Sequence, residues 1–412
     1  MGAGTAQGGA CLLISGKVRK NMEFVVFAGV LLLLFIFMIV QELIQTKNQE
    51  KLFKKYLREN YGKEPPKEYS LERFARLGSY LERHKEEKQL DDITWNDLGM
   101  DEVFRRIDRT YSAAGEEYLY YTLRNISCGR EALEHLEEVV NWLQEQENIK
   151  VRIQLLMKRL GHLGKYSLYD YLDNLDYLGE RSNRKIVLGN LLYLPFLLLL
   201  FVQPAMGTIG IVLCMLWHIM TYFREKKVIE PYIISFAYVL RLIDVCEELE
   251  KQKIPVYRRE LDELREALKS LRELRRGAYW VMAGNQGKIG GNPLDILADY
   301  LRMILHLDIF QFNRMLEKLR KKTGQVENML AITGYLDMAI SVGGFRKSLE
   351  GYCIPKLEED TEKAFLHMKK GWHPLLSQPV KNSIRADRGI LLTGSNASGK
   401  STFLKMVAVN AV

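Results

Sequence analysis

The residues of this 412-residue sequence that could do chemistry lie close to its end. The stretch Gly394 to Ser401 has the spacing G-x-x-x-x-G-K-S. The apolar run Gly389 to Thr393 precedes it and has strand character. The residues that follow form an amphipathic pattern with Phe403, Leu404 and Val407 on one face. A strand, this loop and a helix, in that order, are the context of a phosphate-binding loop.

Each residue type in the loop suits a nucleotide. Glycines let successive backbone N–H groups turn toward phosphate oxygens, and a helix that begins near Lys400 adds the positive end of its dipole. Lys400 is predicted to reach the β- and γ-phosphates of ATP, and the Ser401 hydroxyl to ligate Mg²⁺. ATP and Mg²⁺ are therefore the predicted cofactors. The predicted cofactor-binding residues are Gly394, Ser395, Asn396, Ala397, Ser398, Gly399, Lys400, Ser401 and Thr402, with Ser401 as the metal ligand.

Hydrolysis of ATP needs carboxylates that this stretch does not contain. A phosphate-loop ATPase uses an Asp at the end of a second strand for Mg²⁺ and another carboxylate to position water. The sequence ends at Val412, 12 residues after Lys400. We therefore expect a chain truncated inside its ATPase domain and assign no catalytic residue, which leaves its enzymatic activity open.

The overall composition is that of a folded protein. With 47% hydrophobic and 27% charged residues, a disordered chain is excluded, and 31 Gly and 10 Pro exclude collagen-like classes. The length allows roughly two or three domains. Five scattered cysteines, none spaced as C-x-x-C, argue against a disulfide framework and a zinc site and fit a reducing compartment. The mean hydropathy of −0.15 averages apolar blocks with highly charged ones, and the net charge is +8.

The first apolar block predicts a membrane anchor. Phe24 to Val40 contains seventeen apolar residues without a charge, which nearly cross a hydrocarbon layer of about 30 Å. A buried core helix and a signal peptide are the alternatives, but no small-x-small cleavage site follows. We predict an anchor over 24–41 after an N-terminal segment 1–23, in which Met22 would be a natural start.

The second apolar block predicts a membrane hairpin over 186–223. Two apolar runs between Ile186 and Tyr222 are separated by the uncharged turn 203–207. The flanking cations are Arg181, Arg184, Lys185, Arg224, Lys226 and Lys227. Because positive charge favours the cytoplasmic side, both ends of the hairpin are expected there. The sequence thus predicts a multi-pass protein of the cell membrane whose helical and ATPase regions are cytoplasmic.

The remaining chain is predicted to be helical. Residues 42–98 form a charged helical linker that ends in the turn-rich stretch 91–98, and 99–185 and 224–350 form two parts of a helical core. Between Ile254 and Tyr279 the leucines at 261, 264, 268, 271 and 274 form one stripe of an amphipathic helix. The stripe predicts packing against other helices. Six arginines in the same segment leave open a DNA-contacting arm, which the interleaved Glu and Asp weaken.

Four stretches together resemble the DNA mismatch-repair MutS family. Thr393 to Thr402 is similar to its phosphate loop, T-G-x-N-x-x-G-K-S-T. Gly371 to Leu376, followed by Asn382, resembles the G-x-H-P stretch that leads into the family's ATPase core and whose later part lies near the adenine. Asp108 to Gly115 resembles the D-R-T-x-T-x-x-G start of its helical core, and Leu336 to Ser341 the segment before the ATPase domain. The resemblance covers residues 91–125 and 330–412.

The resemblance implies a mainly α protein followed, over 351–412, by the start of an α/β P-loop domain of the ABC type. It also implies a homodimer formed through the ATPase domains and a DNA partner in mismatch repair. The sequence departs from the family because no mismatch-binding domain with an F-x-E mismatch-reading motif fits before residue 99.

Two hypotheses for function follow. The first is a membrane-anchored MutS-family ATP-binding protein that binds DNA. The alternative is a nucleotide-switched membrane scaffold or transport-associated protein with no nucleic-acid role. An ABC-type exporter is weaker, because three predicted spans with long cytoplasmic inserts are fewer than such exporters use.

Overall fold

A computed structural model describes residues 37–38, 40–41, 44–63, 69–86, 88–126, 129–163, 167–275, 293–358 and 365–412. Its first compact unit ends at Tyr61 and its second begins at Gly62. In the first unit, residues 44–60 form helix α1. Most of the predicted anchor, 24–41, lies outside the described residues.

The second unit is mainly helical, in agreement with the predicted class. Before the apolar hairpin its helices are α2 (Leu71–Arg83), α3 (Asp92–Leu98), α4 (Met100–Ile107), α5 (Ala113–Arg124), α6 (Arg130–Glu145), α7 (Glu147–Leu160) and α8 (Leu168–Asp173). The hairpin and the following helices are α9 (Arg184–Leu191), α10 (Tyr193–Val202), α11 (Pro204–Glu250), α12 (Arg258–Leu271), α13 (Pro293–Leu305), α14 (Leu307–Arg320) and α15 (Thr323–Lys347). Strands β1 (Leu366–Gly371) and β2 (Asn382–Ala386) and helix α16 (Lys400–Ala411) complete the described chain.

The stretch 91–98 corrects one prediction. It is helix α3 rather than a turn-rich segment, because the Asp91 side chain accepts a hydrogen bond from the Thr94 N–H at 2.6 Å and so caps the helix. Gly99, with φ 71°, then ends α3 in the left-handed conformation that favours glycine. Turn-forming residues at both ends thus bound a short helix instead of a loop.

The leucine stripe of α12 packs into the core, as the packing interpretation predicts. Leu264 and Leu271 are fully buried, and Leu261, Leu268 and Leu274 nearly so. The helix is shorter than expected, with 3₁₀ turns at Pro255–Tyr257 and Arg272–Arg275 beside it. Arg265 on its outer face pairs with Glu250 at 2.7 Å and with Asp262 at 2.9 Å. Such pairing reduces the positive charge that a DNA-contacting arm would need.

Helices α9 to α11 form the predicted apolar hairpin. The chain reverses at Gln203, and Phe196 of α10 lies so close to Gly210 of α11 that an added Cβ would be 2.0 Å from its ring. Helix α11 then continues for 47 residues, and from Ile229 onward its inner face is buried in the helical core. Among the described residues, Arg184–Val202 and Pro204–Glu250 are long and apolar enough to cross a membrane by length and composition alone.

The only sheet in the described chain is the antiparallel pair β1–β2, with Leu366 opposite Ala386 and Gly371 opposite Asn382. The prediction of a strand over 389–393 is wrong for this structure. These residues pair with no other described segment, and Leu391 is 89% exposed. An extended run becomes a strand only when a neighbour satisfies its backbone N–H and C=O groups.

Candidate nucleotide-binding site

The predicted phosphate loop forms a compact turn at the start of α16. Gly399, with φ 86°, immediately precedes the helix, in a conformation that residues with a Cβ rarely adopt. No side chain of the described residues caps this end of the helix. The first-turn N–H groups therefore remain available to an anion, and the helix dipole favours negative charge at the same place.

The Lys400 side chain folds back over the loop. Its ammonium donates a hydrogen bond to the Gly394 carbonyl at 2.8 Å and another to the Ser395 carbonyl. The Ser398 N–H donates to the same Ser395 carbonyl at 3.4 Å and closes the turn. The structure thus brings all nine predicted residues, 394–402, into one exposed loop and helix start.

The sequence predicts Ser401 as the metal ligand of this loop. In the parts of the chain that the structure describes, no three His, Cys, Asp or Glu side chains are arranged to hold a metal. Ser401, exposed in the first turn of α16, offers one hydroxyl. A Mg²⁺ ion bound with a nucleotide would be held by this hydroxyl together with phosphate oxygens of the nucleotide.

The G-x-H-P stretch holds α16 in place. The Asn410 side chain donates a hydrogen bond to the Trp372 carbonyl at 3.0 Å, and Met406 is buried near Gly371. Val409 and Leu375 pack against the buried helical cluster that contains Trp95. The helix that opens at the candidate site is thereby attached to the helical core.

His373 and Asn382 are part of the segment that holds α16 in place. His373 is buried, and its Nδ1 accepts a hydrogen bond from the Leu375 N–H at 3.3 Å. Burial, together with the charge of Lys405, lowers the pKa of His373 below its usual value, so the ring stays neutral at pH 7. Asn382 lies opposite Gly371 in the sheet, so the sheet brings together two residues of the same motif.

The two core motifs, more than 200 residues apart in sequence, meet where α5 crosses α15. The buried Asp337 carboxylate accepts hydrogen bonds from the Tyr111 N–H at 3.0 Å, the Ser112 N–H at 2.8 Å and the Ser112 hydroxyl at 2.6 Å. Ser341 accepts from the Arg109 N–H at 2.7 Å. A Cβ at Gly115 would lie 2.4 Å from the Asp337 carboxylate, so glycine allows this close crossing. We term this contact the α5–α15 crossing.

Beside the crossing lies a buried ionic cluster that the sequence reasoning did not identify. Glu116 is fully buried and binds Arg73, Arg76 at 3.0 Å and His162 at 3.0 Å. Glu117 is also buried and accepts hydrogen bonds from the Ser167 hydroxyl at 2.9 Å. Burial raises the pKa of Glu117 to about 8, so it is largely protonated at pH 7. Acidic residues in a first helical turn usually face solvent, so the sequence carried little signal of this burial.

Comparison with known proteins finds local similarity over about a quarter of the chain. Over 121 residues, 27% of this chain, it is 30% identical to a DNA mismatch repair protein MutS of Leptospira interrogans. Over 117 residues, 26% of the chain, it is 28% identical to MutS protein homolog 4 of Homo sapiens and 29% identical to that of Mus musculus. No protein-family model matches the chain.

These matches cover only 12–14% of the length of the relatives. They support a MutS-like relationship for the matched part of this chain. They agree with the resemblance that its motifs carry.

Proposed function

We propose that this chain is a membrane-anchored, MutS-like protein that binds ATP with Mg²⁺ at residues 394–402. One observation carries the proposal: the loop opens α16 without a side-chain cap, and the Lys400 ammonium lies across the loop carbonyls. The spacing G-x-x-x-x-G-K-S at 394–401 supports ATP as the ligand. Such a protein would act as a homodimer through its ATPase domains, as the resemblance to the MutS family implies.

The site would bind ATP by exchanging internal hydrogen bonds for bonds to phosphate. Lys400 would leave the Gly394 and Ser395 carbonyls for the β- and γ-phosphates, and the first-turn N–H groups of α16 would donate to the same anion. Bound Mg²⁺ would neutralise phosphate charge. Because Val409 packs on the helical core, a shift of α16 on binding would be transmitted to the helices beneath it.

The hairpin supports the proposed membrane anchoring. Its apolar side chains face outward, and Phe201 and Val202 at its tip are 89% and 78% exposed. The cations at its other end are exposed as well: Arg184, Lys185, Arg224 and Lys227. In a membrane, the exposed apolar tip would lie in the hydrocarbon layer and the positively charged end would lie at the cytoplasmic surface.

Mismatch repair, the role in the name of the Leptospira relative, supports DNA as the partner in this proposal. The membrane scaffold remains the second candidate, because acidic neighbours pair with the cations of α12. The two candidates are distinguished by measuring how the affinity of the chain for duplex DNA changes as the salt concentration is raised. A steep fall in affinity indicates neutralised phosphates and supports a DNA-binding protein, whereas no binding at low salt supports the scaffold.

The variant Lys400→Ala is expected to weaken ATP binding about 10- to 100-fold, because it removes charge-assisted hydrogen bonds to the phosphates. The measurement is equilibrium binding of a fluorescent ATP analogue to the full chain in detergent with Mg²⁺.

Lys405→Ala is the matched control, since it removes an equal charge from the same helix more than one turn away, and it should bind nearly as well as wild type. Equal binding by the Lys400→Ala variant and wild type, or no binding by wild type, would contradict the proposal.

A further inference from the structure

Helix α1 carries a one-sided basic surface that the nucleotide site does not use. Its cations are Lys47, Lys51, Lys54, Lys55 and Arg58. At 3.6 residues per turn, all of these positions fall within an arc of about 100° around the helix axis. We term this arc, which is about 17 Å long, the basic face of α1.

The basic face is exposed and has an excess of positive charge. Four of its five cations are exposed, and Lys54 is half-buried. The acidic residues in 44–60 lie at its edges, where Glu50 pairs with Lys54 at 2.5 Å and Glu59 lies 3.7 Å from Lys55. A groove of about 410 Å³ follows the face, lined by Lys51, Lys54, Lys55, Arg58 and Glu59.

The opposite side of α1 carries leucine and aromatic side chains beside the amides Gln49 and Asn60. Leu52 is 69% exposed, and the Tyr56 ring stacks on Phe53 with their centroids 5.9 Å apart. A helix with cations on one side and leucine and aromatic rings on the other is typical of segments at the surface of a bilayer. Aromatic rings are also enriched at the level of lipid headgroups.

We infer that the basic face of α1 binds the headgroups of anionic phospholipids. The inference rests on the membrane anchoring in the proposed function. The described part of α1 starts at residue 44, only four residues after the apolar run 24–40 in sequence, so the proposed anchor keeps its first turns near the bilayer. Attraction between cations and an anionic surface acts over about 8–10 Å at physiological salt. A nucleic acid would have to reach the same cations from solution.

Hydrogen exchange of the full chain in nanodiscs tests this inference. Amides 47–58 should exchange about fivefold more slowly in discs with anionic phosphatidylglycerol than in discs of neutral phosphatidylcholine alone, because bound headgroups suppress opening of the helix. The difference should disappear at 1 M salt, where charges more than about 3 Å apart are largely screened from one another. The triple variant Lys47→Gln, Lys51→Gln, Lys55→Gln should lose it. The matched control Lys251→Gln, Lys253→Gln, Lys356→Gln removes the same charge from exposed positions outside α1 and should keep it.

Three results would overturn the inference. Equal exchange of 47–58 in both kinds of disc would show that the headgroups do not bind there. Protection by a short DNA duplex in neutral discs would assign the basic face to nucleic acid. The anchoring is tested separately by extracting membranes with alkaline carbonate. Release of the chain by this treatment would contradict the anchoring and, with it, this inference.

Discussion

The variant Asp337→Ala is expected to destabilise the helical core by about 3–5 kcal/mol, because it leaves buried donors of Tyr111 and Ser112 without their acceptor. This carboxylate joins the N-terminus of α5 to α15 by accepting from the Tyr111 N–H, the Ser112 N–H and the Ser112 hydroxyl. The measurement is urea unfolding of the detergent-solubilised chain, followed by circular dichroism.

Asp176→Ala is the control for this prediction. Its carboxylate is 94% exposed, so its loss should change the free energy of unfolding by less than about 0.5 kcal/mol. A cost below about 1 kcal/mol for Asp337→Ala would mean that the α5–α15 crossing contributes little to stability.

The variant Glu117→Gln is expected to remove a pH dependence from the stability of the protein. The folded state holds a proton on Glu117 up to pH about 8, whereas the unfolded chain releases it near pH 4.5. Between these values the folded state binds more protons, so the free energy of unfolding falls as pH rises. Wild type should lose about 3–4 kcal/mol between pH 5 and pH 8 relative to the variant, whose amide does not titrate.

Thermal unfolding at pH 5, 6.5 and 8 provides the measurement. Glu134→Gln, on the exposed face of α6, is the control and should follow the wild-type pH profile. Parallel profiles for wild type and Glu117→Gln would mean that Glu117 is ionised in the folded protein at pH 7.

Motifs and periodicity predicted the parts of the fold that depend on local sequence. The helix after the phosphate loop begins at Lys400, the leucines of α12 are buried, and the apolar hairpin turns next to Pro204. Each of these follows from residues within a few turns of one another. The nine residues of the candidate site are adjacent in sequence, so their convergence needed no tertiary information.

Tertiary contacts determine what the sequence could not predict. The run 389–393 has strand composition, but a strand requires a hydrogen-bonded neighbour, and composition does not supply one. The Asp337 contacts join positions more than 200 residues apart. The burial of Glu116 and Glu117 likewise depends on Arg73, His162 and Ser167, which come from other parts of the chain.

Residues 394–402 are proposed to bind ATP with Mg²⁺. Hydrogen exchange of the full chain, with and without Mg–ATP, tests it most directly because it reports both binding and its location. We expect slower exchange at the amides of 394–402, where the loop and the first turn of α16 would donate to phosphate, and loss of this protection in Lys400→Ala. Unchanged exchange at these amides at a saturating ATP concentration would show that ATP does not bind there.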